Sequence, residues 1–352
     1  MRRATSVDVA RRAGVSRATV SAVLSGAGGN VRMSEETRQR VQAAVLELQY
    51  VPHPAAQALR RQRSGVIGFV PRPDGAMSGG SLLRYQISRI MAHAAMQSGS
   101  HLVEASAETD TSRGSDELLR FLLSRRVDGV IFDSPPTEAE VRRVVEYGLP
   151  TVQIIRPQFA VPTPAVTVDA TDGVAAAVAH LVALGHREIA FIGHGGPHPI
   201  DRALITAFTT ALARHGLAVP EAHLRQMHEH SLEAGHTATR ALLALPHRFT
   251  ALFVAGDTLA GGVMQAFYEV GRRVPDALSV IVYNDNLAAY LAPPLTCIPQ
   301  PFAQVAAAAC ALIAAQLESG DDGDGVVPSH IVFPTTFIVR QSTGQPQNRT
   351  GA

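Results

Sequence analysis

At 352 residues, 46% of them hydrophobic, the chain has the size of two or three domains and the composition of an ordinary soluble globular protein. The net charge is only +1, yet residues 1–63 hold eleven Arg against Asp8, Glu35, Glu36 and Glu47, a net of +7 that leaves −6 for the rest; a basic head on an acidic body points to nucleic acid at one end. Two cysteines, Cys297 and Cys310, exclude a disulfide framework, and fourteen scattered His show no H-E-x-x-H metal pattern. With no apolar leader and no apolar run of transmembrane length, the expected setting is the cytoplasm; no cofactor, metal or catalytic group is expected.

The first helix starts after Thr5, whose spacing to Asp8 makes a capping box. Gly14 supplies the corner residue, and Ser16 is suited to cap a second helix that runs through Leu24. On that helix Val20, Val23 and Leu24 share one face by the 3.6-residue period, and Arg17, Ala18, Ser21 and Ala22 share another. The apolar face can pack on Val9, Ala10 and Ala13, leaving the other open with Arg17 at its N-terminal end. This is the layout of a helix-turn-helix, whose second helix meets base edges in the major groove.

After a loose stretch, 27–33, Ser34 caps a third helix with Glu35 and Glu36 in its first turn, where the helix dipole favours them. Val41, Val45 and Leu48 close a three-helix core, while Arg38 and Arg40 face either phosphates or solvent. Residues 50–63, YVPHPAAQALRRQR, read as a linker. Pro52 and Pro54 stop the third helix, and Pro54 suits the first turn of a short helix over 55–61 that is too short to be stable alone.

The run D-V-A-x-x-A-G-V-S-x-x-T-V-S at 8–21 resembles the opening of LacI-family transcription factors, the lactose and galactose repressors. The resemblance implies that Thr5, Ser16, Arg17, Ala18, Thr19, Ser21 and Ala22 face double-stranded DNA. It implies that the short helix of the linker is a hinge helix, paired across a dimer axis in the minor groove. There Leu59 of A-x-x-L would wedge between the central base pairs, with Ala56 and Arg60 beside it; the kinked duplex then touches more protein. Ala22 departs from the Arg that many members carry, and His53-Pro54 departs from the usual Asn.

From Ser64 short apolar runs alternate with amphipathic stretches. Strands are expected at 66–70, 101–104, 130–132 and 152–155, with helices at 82–97, 115–124 and 138–147 between them. A second set has strands at 189–192, 251–254 and 280–283, and helices at 173–184, 204–215, 233–245 and 259–270. This alternation predicts doubly wound parallel sheets covered by helices. Two such lobes in series resemble periplasmic sugar-binding proteins, and the phrases at 122–132, 180–190 and 293–302 carry the family likeness through to about residue 340. The expected organisation is a DNA-binding domain at 1–49, a hinge at 50–63 and a two-lobed core at 64–340. Lobe 1 takes about 64–168 and 302–328, and lobe 2 about 169–298 and 329–340. The tail at 341–352 is polar and lacks leucine heptads, which favours a homodimer over a tetramer.

Ligands of such folds bind between the lobes, at the carboxyl ends of the strands. The candidates there are Arg72, Asp74, Ile155, Arg156, His194, Gly256, Asp257, Asn284, Asp285 and Phe302. The resemblance implies a usual sugar-hydroxyl set at Ile155, Leu204, Gly256 and Asn284, and all four differ from the usual residue. Arg202 lies two residues before the expected Arg, and His230 falls near a position that is aromatic in some sugar binders. Asp257, Asp285, Gln300 and Phe302 match. Arg72, Arg156 and Arg202 near the rim suit a small-molecule effector that is anionic, with a sugar derivative as the alternative. Each has a structural reading too: Asp257 as an N-cap, Asn284 and Asp285 as a strand-end turn, Arg202 as half of an ion pair.

The expected function is therefore an effector-controlled, sequence-specific repressor acting on a pseudo-palindromic operator. The alternatives are an effector-independent regulator, a ligand-binding module without regulatory role, and an enzyme using the loop Gly193-His194-Gly195-Gly196 as a phosphate cradle. That glycine pattern is short and lacks the rest of a dinucleotide fingerprint.

Overall fold

The computed structural model describes every residue except 1–3, 25–33, 52–62, 72–79, 106–111, 134–136, 156–160, 196–198, 247, 320–329 and 348–352. Packing divides the chain into two units, residues 1–64 and 65–352.

The first unit holds helices α1 (Ser6–Ala13), α2 (Arg17–Leu24) and α3 (Glu35–Glu47). Its starts and stops are chemical. The Asp8 carboxylate accepts from the Thr5 backbone N–H at 2.9 Å and from the Thr5 hydroxyl at 2.7 Å, completing the capping box with the Thr5 oxygen over Asp8 N–H. Gly14 ends α1 at φ 66°, a left-handed conformation that favours glycine. Ser16 Oγ accepts from Thr19 N–H at 3.1 Å, and Ser34 Oγ does the same for Thr37 at 3.2 Å. The apolar faces meet in a core of Val9, Ala10, Ala13, Val20, Val41 and Ala44, with Val23, Leu24, Val45 and Leu48 half-buried around it.

The second unit contains two parallel sheets. The first runs in the order β11-β5-β4-β3-β1-β2, with β1 Val66–Val70, β2 His101–Glu104, β3 Gly129–Phe132, β4 Thr151–Ile155, β5 Ala165–Asp169 and β11 His330–Pro334. The second runs β10-β9-β8-β6-β7, with β6 Ile189–His194, β7 Leu224–Met227, β8 Ala251–Val254, β9 Ser279–Tyr283 and β10 Thr296–Ile298. Around the first sheet lie α4 (Gly80–Gln97), α5 (Ser112–Leu122), α6 (Glu138–Glu146) and α11 (Phe302–Ser319). Around the second lie α7 (Thr171–Ala183), α8 (Pro199–Arg214), α9 (Leu232–Leu243) and α10 (Asp257–Glu269). The central strands β3, β4, β8 and β9 are buried throughout, as continuous apolar runs covered on both faces must be.

Three expectations need correction, and the tail takes a defined place. Residues 330–334 do not belong to the second lobe: β11 pairs with β5 over its whole length, Val332 opposite Thr167, and the chain crosses only afterwards, where Thr335 N–H donates to Asp169 O and Ile338 bridges Cys297. The strand β7 is absent from the expected set because its sequence, LRQM, is that of a half-exposed edge strand. The polar tail is packed up to residue 344. Ser342 is fully buried, donates to Val280 O at 2.6 Å and accepts from Thr296 N–H at 2.8 Å. Finally, against the expectation of no apolar run of transmembrane length, α11 is long and apolar enough to cross a membrane by length and composition. In the fold it is a core helix, burying Phe302, Val305, Ala306, Ala309, Cys310 and Ile313 against the first sheet.

His186 fastens the tail. Its Nε2 lies 2.9 Å from Gly344 O, which can only accept, so Nε2 carries the proton and Nδ1 accepts from the Thr250 hydroxyl at 2.9 Å. Burial holds the His186 pKa below its usual 6.5, against the Gly344 carbonyl, which raises it. The unfolded chain therefore binds this proton more readily, and stability falls as pH drops below about 6.5. The expected result is a melting-temperature gap between the wild-type chain and His186→Asn that narrows from pH 7.5 to pH 5.5. A gap constant across that range would remove His186 as a source of acid sensitivity.

Candidate nucleic-acid interface and effector cleft

On α2 the two faces separate as the period requires. Val20 is buried, while Arg17 and Ala18 are exposed and Thr19, Ser21 and Ala22 are half-buried. Thr5 and Ser16 serve first as caps, and Thr19 Oγ1 lies 2.9 Å from Ser16 Oγ. Arg12 is spent within the unit: its guanidinium reaches the Glu47 carboxylate at 2.7 and 3.1 Å, tying α1 to the end of α3. Sequence spacing gives no signal for that pair, because it joins residues 35 apart. Arg38 stands 3.8 Å from Glu35, and the Arg40 guanidinium reaches Thr37 Oγ1 only at 3.5 Å. Leu59, Ala56 and Arg60 lie outside the described residues.

In the second unit the carboxyl ends of β6, β8 and β9 bring together His194, Gly256 and Asn284. His194 donates through Nε2 to His228 O at 2.7 Å, and its ring stacks on His230 with centroids 5.0 Å apart and planes 20° from parallel. Gly256, at φ 153°, passes so close that a Cβ there would meet His230 Nδ1 at 3.1 Å. The ring at 230 and the glycine at 256 thus depend on each other. Asn284 takes the left-handed conformation, φ 85°, and its Oδ1 accepts from Gln300 Nε2 at 2.6 Å. The Gln300 side-chain oxygen, Oε1, is buried with no hydrogen-bond partner among the described residues. Phe302, the first residue of α11, is 9% exposed. Ile155 ends β4 at φ 66° and packs into the first sheet's core.

Several expected cleft residues are committed elsewhere. Asp257 is buried, and its Oδ2 accepts from the backbone N–H groups of Asn286 at 2.7 Å and Leu287 at 2.9 Å. It anchors the turn after β9 and also meets the first backbone N–H groups of α10, whose N-cap position is Gly256. Burial raises its pKa; the backbone donors oppose that. Asp285 makes a two-toothed ion pair with Arg340, both bonds 2.7 Å, and the same guanidinium donates to Leu295 O and to Cys297 Sγ at 3.2 Å. Arg202 is exposed on the face of α8 that also carries Thr206, and Leu204 belongs to the second lobe's core. Arg72, Asp74 and Arg156 lie outside the described residues.

The glycine loop after β6 has a packing explanation. A Cβ on Gly193 would meet the Phe191 ring at 2.5 Å, and one on Gly195 would meet Gln226 Cβ at 2.6 Å. Both thiols are buried, which pushes Cys297 up to about 12 and Cys310 up to about 11, so each stays a protonated thiol at neutral pH.

A three-helix head with a polar second helix, followed by two parallel α/β lobes joined by three crossings, defines a DNA-binding regulator with a ligand-binding core. Residues 6–53 match the bacterial regulatory proteins of the lacI family, and residues 178–343 match the periplasmic binding protein-like domain. The chain is 33% identical over 309 residues to the HTH-type transcriptional repressor PurR of Escherichia coli, covering 85% of this chain and 86% of that one. It is 29% identical over 345 residues to the HTH-type transcriptional regulator DegA of Bacillus subtilis, covering 96% and 98%. The crystal structure of the lac repressor dimer bound to operator and the anti-inducer ONPF superposes with a TM-score of 0.80 at 26% identity, over 97% of this chain and all of that one. The chain belongs to the LacI family of transcriptional regulators.

Proposed function

We propose that this protein is a dimeric repressor that binds a pseudo-palindromic operator in the cytoplasm and releases or gains it when a small molecule enters between the lobes. The observation that carries the DNA half is the open face of α2: Arg17 and Ala18 are exposed at its start, above a buried Val20. Arg17 is placed to take a guanine through two parallel hydrogen bonds, and Ala18 to touch a thymine methyl. Leu59, flanked by Ala56 and Arg60, serves as the minor-groove wedge. Exposed apolar side chains on the core, Tyr85 at 60%, Met96 at 63% and Tyr268 at 86%, support a dimer. The chain's relatives are regulators, and the reading is of a protein without catalytic activity.

The cleft favours an effector with a flat face and a hydrogen-bonding edge. The stacked His194–His230 rings and Phe302 offer the apolar surfaces, and the Asn284–Gln300 amide pair offers the edge. Among the described residues the arginine at these strand ends, Arg340, is taken up by Asp285, so a preference for anions rests on Arg72 and Arg156.

The test is selection of binding sites from random DNA, followed by affinity measurement on the selected site and on bulk DNA. Arg17→Ala is expected to weaken the selected site by roughly 1–3 kcal/mol and relax preference at one base pair per half-site. Equal loss on both DNAs would reduce Arg17 to a phosphate contact.

A further inference from the structure

A second concave surface lies beside β11, apart from the carboxyl ends of β6, β8 and β9. β11 forms one edge of the first sheet; β5 covers one side of it, and no strand among the described residues pairs with the other. Beside it runs a groove of about 660 Å³, bordered by Thr167 and Asp169 of β5, His330 and Val332 of β11, and one face of α8. That volume is within the range of natural ligand sites, about 300–1,000 Å³.

The α8 face is a stripe at four-residue spacing: Arg202, Thr206, Thr210 and Arg214, all exposed. The two arginines sit at its ends, twelve residues and so about 18 Å of helix axis apart. Neither is in an ion pair with another described residue. The Asp169 carboxylate, the acid on the groove wall, is committed to the Thr171 N–H at 2.9 Å and the Thr171 hydroxyl at 2.6 Å. A solvated arginine stripe is common on helix surfaces. Here it faces an open strand edge across a groove, which an isolated stripe does not.

We propose that this groove docks an extended acidic peptide segment of a partner protein, added to the free edge of β11. The distance sets the shape: a small anion reaches one arginine, whereas about 18 Å spans five or six residues of extended chain at roughly 3.3 Å each. Charge sets the sign, since two cations that pair with no acid among the described residues, with hydroxyls between them, favour carboxylates. The open edge sets the mode, because its unpaired N–H and C=O groups are a template for another strand. Pro334 carries no N–H and closes that template at its end. A segment seated there touches β11 of one lobe and α8 of the other, so its affinity depends on how the lobes are arranged.

The full chain is titrated with three labelled octapeptides, (Asp-Val)4, (Arg-Val)4 and (Asp-Pro)4, by fluorescence anisotropy. The first is expected to bind at micromolar concentration, and the other two at least tenfold more weakly, one for charge and one because proline cannot pair with the edge. Arg202→Glu with Arg214→Glu is expected to weaken (Asp-Val)4 at least tenfold while leaving the thermal melt unchanged, since both side chains are exposed. Hydrogen exchange at 330–334 should slow when (Asp-Val)4 binds. Failure of (Asp-Val)4 to bind, equal binding of (Asp-Pro)4, unchanged exchange at 330–334, or competition by inorganic phosphate at the same concentration as peptide would each overturn the proposal.

Discussion

Gly262→Val is expected to destabilise the second lobe by about 3 kcal/mol or more, the upper end of overpacking costs. α9 and α10 cross backbone against backbone. A Cβ on Gly262 would overlap Leu232 O and stand 2.6 Å from His236 N, and one on Gly235, across the crossing, would overlap Leu259 O. Flexible side chains could swing aside, but main-chain atoms held in helical hydrogen bonds cannot. The helices must part, exposing Leu259, Ala260 and Val263, which are fully buried beneath them. Urea unfolding followed by far-UV circular dichroism reads the loss as a lower midpoint for the core. The head unit has a core of its own, so its transition is fitted separately. A core midpoint unchanged within error would mean that the crossing is looser than described.

The second large effect is expected at Asp257. Removing its carboxylate leaves the part-buried N–H groups of Asn286 and Leu287 without their acceptor, at about 1–3 kcal/mol each. Asp257→Ala should therefore cost about 2–6 kcal/mol. Asp257→Asn retains one side-chain oxygen and should cost less than half as much. The pH dependence separates the two. Burial raises the Asp257 pKa, so the fold binds that proton more tightly than the unfolded chain does. Its contribution to stability then decreases as pH rises from about 3.8 through the raised pKa, and this component vanishes in the Asn variant. Effector affinity, once an effector is in hand, should be the same in the wild-type and Asn proteins. A selective loss of affinity at full stability would return Asp257 to the cleft.

These two residues show why strand-end position is a weak guide to role. Asp257 and Asp285 sit where ligand-binding acids would sit, directly after β8 and β9. Their partners are a turn 29 residues on and an arginine 55 residues on. No local pattern links them, because the pairing is made by the third crossing and the loop after β9. The same holds for Arg202, whose place two residues before Leu204 says nothing of which way α8 turns. The face became clear only when Leu204 and Phe208 were found in the core and Thr206 and Arg214 outside it.

What the amino-acid sequence determined by itself is what short-range chemistry controls. The capping box at Thr5 and Asp8, the left-handed Gly14, the caps Ser16 and Ser34 and the 3.6-residue stripe of α2 are all set within a few residues. They suffice to define the head and its exposed face. Continuous apolar runs likewise announced the buried strands, since a strand covered on both faces must be apolar throughout. Tertiary structure alone decided which sheet each late segment joins and which polar groups are already used. β11, with its alternating exposure, is placed by pairing with β5, over 160 residues away. The tail is placed by His186, Ser279 and Val280. The physical reason is that hydrogen-bond partners and sheet neighbours are chosen by proximity in space, and the sequence distance between them carries no signal of it.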